Sequence, residues 1–134
     1  MSLNPDSSVR IAHFFAEAVN GRSVDELSRL MTENHALIDS LGARVEGKAA
    51  VSAAWLGYFR MVPDYSIVIE ETFADGNVVV MLGIAQGTYS KDGVLRPENQ
   101  WKTPASWRAV VRGGLVAEWR VYADNEPLRQ IARR

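Results

Sequence analysis

The stretch "YSIVIEETFADGNVVVMLGIAQGTYS", residues 65–90, decides the fold of this chain. It contains two segments rich in Val and Ile on either side of Asp75-Gly76. β-Branched residues favour strands, and Asp-Gly between two apolar segments favours a tight hairpin turn. The stretch therefore predicts two antiparallel strands joined at Asp75-Gly76.

Two more strands follow this hairpin. Residues 98–111 and 115–123 are rich in β-branched and aromatic side chains, and Gly113-Gly114 separates them as a turn. Lys91-Asp92-Gly93 marks another turn before them. The second half of the chain is therefore predicted to form an antiparallel meander.

Helical spacing of apolar residues occupies most of the first half of the chain, and it returns at the end. The predicted helices cover residues 7–21, 23–31, 48–62 and 126–133. Ser23 and Glu26 have the spacing of a capping box at the start of the second helix. Pro63 ends the third, because proline removes a backbone donor and disfavours helical geometry in the residue before it. The order predicts an α+β fold, with three N-terminal helices on one face of a curved, mostly antiparallel sheet.

Length and composition exclude several classes of protein. The chain has 134 residues, which predicts one domain over residues 1–134, and residues 1–8 are expected to be flexible. Fifteen basic residues nearly balance sixteen acidic ones without forming a basic stripe, so a nucleic-acid partner is not expected. Cysteine is absent and no stretch has the apolarity of a membrane span, so we expect a cytoplasmic protein without a membrane partner.

Cofactor and metal motifs are also missing from the sequence. No His, Asp and Glu grouping has metal-ligand spacing, and there is neither a glycine-rich phosphate loop nor a nucleophile elbow. We therefore expect no metal and no cofactor.

Four strings, in this order and spacing, carry a resemblance to a known family. They are "VEGKAAVSAAW", "MVPDYSIVIEETFADGNVVV", "AQGTYSKDG" and "GLVAEWRVYADNEPLRQ". Over residues 9–131 the chain resembles the NTF2-like superfamily, in its ketosteroid-isomerase and SnoaL-type polyketide-cyclase branch. The resemblance implies a cone-shaped barrel whose bent sheet and helices enclose a pocket for an apolar small molecule. It also implies a homodimer formed through the outer face of the sheet.

Asp39 is the first candidate for a catalytic residue. It directly follows the apolar Ala36-Leu37-Ile38, and a carboxylate beside buried apolar surface must find hydrogen-bond partners or give up its charge. The resemblance implies that Asp39 corresponds to the aspartate with which ketosteroid isomerases move a proton between substrate carbons. The alternative is a turn at "DSLG", residues 39–42, in which the carboxylate accepts backbone N–H groups.

Asp124 is the second candidate. In "EWRVYADNEPLRQ" it resembles the aspartate that acts as acid or base in the ring closure of SnoaL-type cyclases. The alternative is a cap at the start of the last helix, where Asp is a favoured residue.

The resemblance fails at the partner groups of the isomerases. Their oxyanion tyrosine corresponds to Phe15, which has no hydroxyl group, and their second aspartate corresponds to Ala105 or Ser106. Losing one such donor costs on the order of 10²–10³ in rate, so steroid isomerisation by that mechanism is not expected. An epoxide hydrolase of this superfamily needs an arginine and two aspartates, and "SWRAVV" and "WRVY" contain arginines without those aspartates.

Aromatic residues are the predicted walls of the pocket. If Ala105 faces inward, period-two alternation turns Trp101, Thr103 and Trp107 inward as well, and Arg108 outward. The candidates for substrate binding are Phe15, His35, Trp55, Tyr58, Trp101, Trp107 and Trp119. For each aromatic residue the alternative is packing in the core. For His35 it is a hydrogen bond from the start of a strand to the backbone.

The sequence thus predicts a small-molecule pocket protein, with an aspartate as general base of a cofactor-free isomerisation or cyclisation of an apolar substrate. A ligand-binding or scaffold dimer without chemistry is the alternative. A lesser alternative is an enzyme of the epoxide hydrolase type.

Overall fold

The computed structural model describes residues 5–134 of the chain. Its elements are α1 (Pro5–Asn20), α2 (Val24–Arg29), β1 (Met31–Ile38), β2 (Arg44–Glu46), α3 (Lys48–Met61), β3 (Ser66–Asp75), β4 (Val78–Thr88), β5 (Gln100–Arg112), β6 (Leu115–Ala123) and α4 (Glu126–Ala132). Helix α1 thus begins at Pro5, inside the segment 1–8 that was expected to be flexible, and residues 1–4 lie outside the described part.

The six strands form one sheet in the order β2-β1-β6-β5-β4-β3. Strands β1 and β6 are parallel, and the other neighbouring pairs are antiparallel. Helix α1 contacts β3, β4, β5 and β6, and α3 contacts β1 and β2. This arrangement confirms the predicted α+β class and the mostly antiparallel, curved sheet.

The two predicted hairpin turns are confirmed. Asp75 pairs with Val78 across the first turn. Gly113 and Gly114 form the second with φ angles of 57° and 80°, a backbone conformation that side chains with a Cβ rarely adopt. Lys91-Asp92-Gly93 differs from the prediction, because it belongs to a longer loop between β4 and β5.

The start of α2 shows half of the predicted capping box. The Ser23 hydroxyl accepts the Glu26 N–H at 3.2 Å. The Glu26 carboxylate does not return this bond, because it pairs with Arg29 one turn later. The backbone N–H of Ser23 donates instead to the carbonyl of Ala18.

Strand β5 positions one wall of the site. Its buried residues alternate with exposed ones, and the inward side chains are those of Trp101, Thr103, Ala105 and Trp107. The predicted parity of this strand is therefore confirmed. Trp107 is only 1 % exposed and lies deep in the core. Trp101 lies at the start of β5 and lines a cavity together with residues of α3.

Candidate functional site

A cavity of about 270 Å³ lies between the loop after β1, helix α3 and the ends of β4, β5 and β6. Its lining has three kinds of side chain. Seven are aliphatic: Leu37, Ala43, Val45, Ala54, Ala85, Val121 and Ala123. Four are aromatic: Trp55, Tyr58, Tyr65 and Trp101. Three are polar: Asp39, Ser40 and Asn125. Such a lining, apolar with a few polar groups, is typical of small-molecule sites.

Asp39 holds a turn and also lines the cavity. Its Oδ1 accepts the N–H groups of Leu41 and Ala43, both at 2.9 Å, which holds the turn between β1 and β2. The same residue borders the cavity at its solvent-exposed end. Within residues 5–134, Oδ2 accepts no hydrogen bond, so this oxygen is available to a ligand.

Ser40 and Asn125 close the cavity beside Asp39. The amide Nδ2 of Asn125 donates to the Ser40 hydroxyl at 2.8 Å, which ties the β1–β2 loop to the end of β6. Sequence analysis missed both residues. They meet only because β1 and β6 are parallel neighbours, and this long-range pairing left no local signal.

Asp124 lies outside the cavity lining, with an exposed side chain. Its Oδ1 accepts the N–H of Glu126 at 2.9 Å and lies 4.0 Å from Nη2 of Arg129. The carboxylate thus satisfies a backbone donor at the start of α4. The N-cap position itself is Asn125, which makes no side-chain cap bond, so Asp124 stabilises the turn into α4 from one residue before the N-cap.

The four aromatic residues of the lining form a continuous chain of contacts. The Tyr58 ring is perpendicular to the rings of Trp55 (89°) and Tyr65 (90°), with centroids 6.5 and 4.9 Å away. Tyr65 in turn stacks on Trp101 at 6.1 Å and 30°. Trp55, Tyr58 and Trp101 were predicted for this wall, and Tyr65 was missed because it precedes β3 in a connection.

The two tyrosines of the wall remain neutral. Burial raises the pKa of Tyr58, and the nearby Tyr65 adds to this effect. Burial also raises the pKa of Tyr65, against a smaller opposing contribution from a hydrogen bond with Trp107. Because Tyr58 lines the cavity, its neutral hydroxyl is a candidate hydrogen-bond donor to a ligand.

Four predicted pocket residues lie in the core and not in the cavity lining: Phe15, His35, Trp107 and Trp119. The Phe15 ring lies 4.5 Å from Trp119 and 5.7 Å from His35, because α1 fills the space over this part of the sheet. Period-two alternation correctly placed Trp107 inward, but it does not distinguish a filled interior from an empty one.

His35 takes the backbone-bonded alternative. Its Nδ1 donates to the Val116 carbonyl at 2.6 Å, and the side chain is fully buried. Desolvation lowers the pKa of His35, while the bond to Val116 and the charge of Glu118 raise it to a lesser extent. The imidazole is therefore a neutral core residue.

A second, larger groove lies on the other side of Trp101. It measures about 400 Å³ and is lined by Asp64, Gln86, Lys102 and other polar residues. Both oxygens of Asp64 are engaged by Thr88, through the backbone N–H and the hydroxyl at 2.7 Å each. The groove therefore lacks both the apolar walls and the free carboxylate oxygen of the Asp39 cavity.

Among the described residues, no three His, Asp or Glu side chains are grouped so that they could hold a metal ion. No helix in that part of the chain has the length and apolarity to cross a membrane.

Comparison with known proteins gives the family of the chain. No curated protein matches it. A solved structure of a proposed SnoaL-like polyketide cyclase from Jannaschia sp. CCS1 is 20 % identical, covers 98 % of this chain and 94 % of its own, and superposes with a TM-score of 0.83. For a proposed polyketide cyclase from Xanthomonas campestris the values are 18 %, 96 %, 99 % and 0.83.

A third structure, a proposed SnoaL-like polyketide cyclase from Shewanella denitrificans, is 16 % identical. It covers 94 % of this chain and 96 % of its own with a TM-score of 0.80. At these identities the structures share the fold. The family model described as a SnoaL-like domain matches residues 11–119, which is most of the sequence, and the chain therefore belongs to the SnoaL-like domain family.

Proposed function

We propose that this protein binds a largely apolar small molecule in the cavity beside Asp39. The observation that carries this proposal is the lining, in which seven aliphatic and four aromatic residues face three polar ones gathered at the exposed end. A ligand that buries an apolar body there keeps its polar group near Asp39, Ser40 and Asn125. Apolar burial supplies the affinity, and the polar groups supply the orientation.

Filling the cavity tests this proposal. Ala54 of α3 lines the cavity, whereas its neighbour Ala53 is exposed and does not. We expect Ala54→Phe to weaken binding of an apolar probe, 2-naphthol, by about tenfold or more, because the added ring occupies the site. The matched variant Ala53→Phe keeps the affinity of the parent chain. Equal affinity in all three proteins, measured by fluorescence titration, would place the probe elsewhere and contradict the proposal.

Proton-transfer chemistry is a second candidate, and one observation favours it. Asp39, whose Oδ2 accepts no hydrogen bond within residues 5–134, and the neutral Tyr58 line the same cavity. A carboxylate that can accept a proton and a neutral hydroxyl in the same cavity are groups suited to a cofactor-independent isomerisation or cyclisation.

Asp39→Asn tests this chemistry without disturbing the turn. The amide oxygen of asparagine can still accept the two backbone N–H groups that Oδ1 accepts now. We expect turnover of a substrate to fall by about 10²–10⁴, the usual contribution of a general base. Unchanged turnover in a folded Asp39→Asn protein would remove Asp39 from the mechanism.

Two observations favour binding without chemistry. Asp39 already accepts two backbone N–H groups. Phe15, at the position that corresponds to the oxyanion tyrosine, has no hydroxyl group and is fully buried in the core. The epoxide hydrolase alternative has less support, since no arginine of the described chain lines the cavity and Arg108 pairs with Glu118.

We also propose that the chain forms a homodimer through the outer face of its sheet, with the cytoplasm as its compartment. Apolar side chains on that face support the dimer. The absence of cysteine suits a reducing compartment.

A further inference from the structure

The charge of the cavity has one sign. Asp39 is the one charged side chain among the described residues that line it, and no Lys, Arg or His lines it. The ion pairs found in residues 5–134 do not include Asp39, so its charge is not neutralised by a neighbouring cation. The cavity therefore favours a ligand that carries positive charge.

The aromatic wall favours the same sign. The indole Nε1 atoms of Trp55 and Trp101 are covered by protein and have no hydrogen-bond partner, so the surface that these rings add to the cavity is carbon. Tyr58 stands perpendicular to Trp55 and to Tyr65, which orients successive rings differently around the cavity. Electron-rich ring faces attract cations, and tryptophan attracts them most strongly.

The apolar character of the lining narrows the kind of cation. A primary ammonium has three donors to satisfy, and a metal ion needs several oxygen ligands. Eleven of the fourteen lining residues are aliphatic or aromatic, and the three polar ones, Asp39, Ser40 and Asn125, lie together at one end, so most of the surface around a bound cation is apolar. A trialkyl or tetraalkyl ammonium needs at most one acceptor, and its surface is apolar like the aliphatic part of the lining.

We propose that the ligand of this cavity carries an alkylated ammonium group, which lies against Trp55, Tyr58, Tyr65 and Trp101 and faces the free oxygen of Asp39. The inference rests on the proposed function, because it uses the same cavity. It adds the chemical class of the ligand and assigns Asp39 the role of counter-ion.

A pair of isosteric probes tests the charge directly. Choline and 3,3-dimethylbutan-1-ol have the same shape, but only choline is charged. We expect the full chain to bind choline about tenfold or more tightly than the neutral alcohol in calorimetric titrations, because only the cation gains from the rings and the carboxylate. Asp39→Asn removes the counter-ion and Tyr58→Leu removes an aromatic ring, so each should weaken choline binding several-fold and change the affinity for the neutral alcohol much less.

Asp124→Asn is the matched control. It removes a carboxylate that lies between the lining residues Ala123 and Asn125 in the sequence but does not itself line the cavity. This variant should bind choline as the parent does. Equal affinity for the two probes, or choline binding that is insensitive to Asp39→Asn, would overturn the ammonium assignment. If the parent chain still binds 2-naphthol and Ala54→Phe weakens that binding, the proposal of an apolar pocket stands even though the ammonium assignment fails. If Ala54→Phe affects neither choline nor 2-naphthol, both proposals fail.

Discussion

Asp39 shows how one carboxylate can serve the fold and the site at once. Oδ1 fixes the turn through the backbone N–H groups of Leu41 and Ala43, and Oδ2 accepts no hydrogen bond within residues 5–134 in a residue that lines the cavity. The turn holds the carboxylate in place without using both oxygens. A group positioned in this way loses little conformational entropy when a ligand binds, which favours affinity.

His35 makes stability depend on pH in a defined direction. Burial lowers the pKa of His35 in the folded protein below its ordinary value of 6.5, so the unfolded chain binds a proton more readily. Stability contributed by the neutral imidazole is therefore present above about pH 6.5 and is lost as the pH falls below it. We expect the unfolding temperature to drop between about pH 7.5 and about pH 5.5.

Replacement of this histidine checks the assignment. His35→Gln keeps a donor for the Val116 carbonyl but cannot be protonated, so its unfolding temperature should be lower overall and flatter over this pH range. His13→Gln, which changes the other histidine of the chain, should keep the slope of the parent. A parent slope that persists in His35→Gln would assign the pH dependence to other groups.

At the scale of elements, short sequence patterns predicted the features that depend on neighbouring residues, such as strand alternation and tight turns. The alternation of β5 and the glycine turns depend on residues adjacent in the chain, and these predictions are confirmed. The loop between β4 and β5 differs from the predicted turn. The two guanidinium nitrogens of Arg96 donate to the carboxylate of Asp92, and this bidentate pair closes a loop longer than a hairpin turn.

The pairing of β3 with β4 leads to a prediction about glycine. A Cβ atom added to Gly83 would lie 1.8 Å from the Val68 carbonyl oxygen, where the register shifts just after Ile69. Because that oxygen belongs to a paired strand, it cannot move without breaking the register. We expect Gly83→Ala to lower the free energy of unfolding by about 1–3 kcal/mol, the usual cost of overpacking.

The same substitution should have the opposite effect in α3. A Cβ atom added to Gly57 meets nothing within 4 Å, and alanine favours a helix over glycine by about 1 kcal/mol. Urea unfolding of Gly57→Ala should therefore show a gain in stability. A gain in stability for both variants would mean that intrinsic propensity, and not the contact with Val68, determines the outcome at Gly83.

At the scale of the whole molecule, the site depends on contacts that no local pattern encodes. Trp55, Tyr58 and Trp101 were predicted, because their spacing turns them inward. The bond from Asn125 to Ser40 joins residues 85 positions apart, and it follows from the parallel pairing of β1 with β6. Alternation likewise could not show that α1 fills the space around Phe15 and leaves the space beside Asp39 empty.

The outer face of the sheet carries the prediction of a dimer. Val80, Leu82 and Ile84 of β4 alternate with residues that face the core. Leu82 lies opposite Ser106, which lies opposite Tyr122, a residue whose side chain is 47 % exposed. Val68, 44 % exposed, lies opposite Ile84. When two chains are related by a two-fold axis, the same apolar patch on each chain can pack against the other and be buried.

Light scattering after size exclusion measures the assembly. We expect about twice the chain mass of 14.9 kDa for the parent, and the mass of a single chain for Leu82→Arg, because an arginine at the centre of the patch would be buried opposite its own copy. Leu41 is 81 % exposed in the β1–β2 loop, so Leu41→Arg adds the same charge elsewhere and should leave the dimer intact. A single-chain mass for the parent, or a dimer that persists in Leu82→Arg, would exclude this face as the interface.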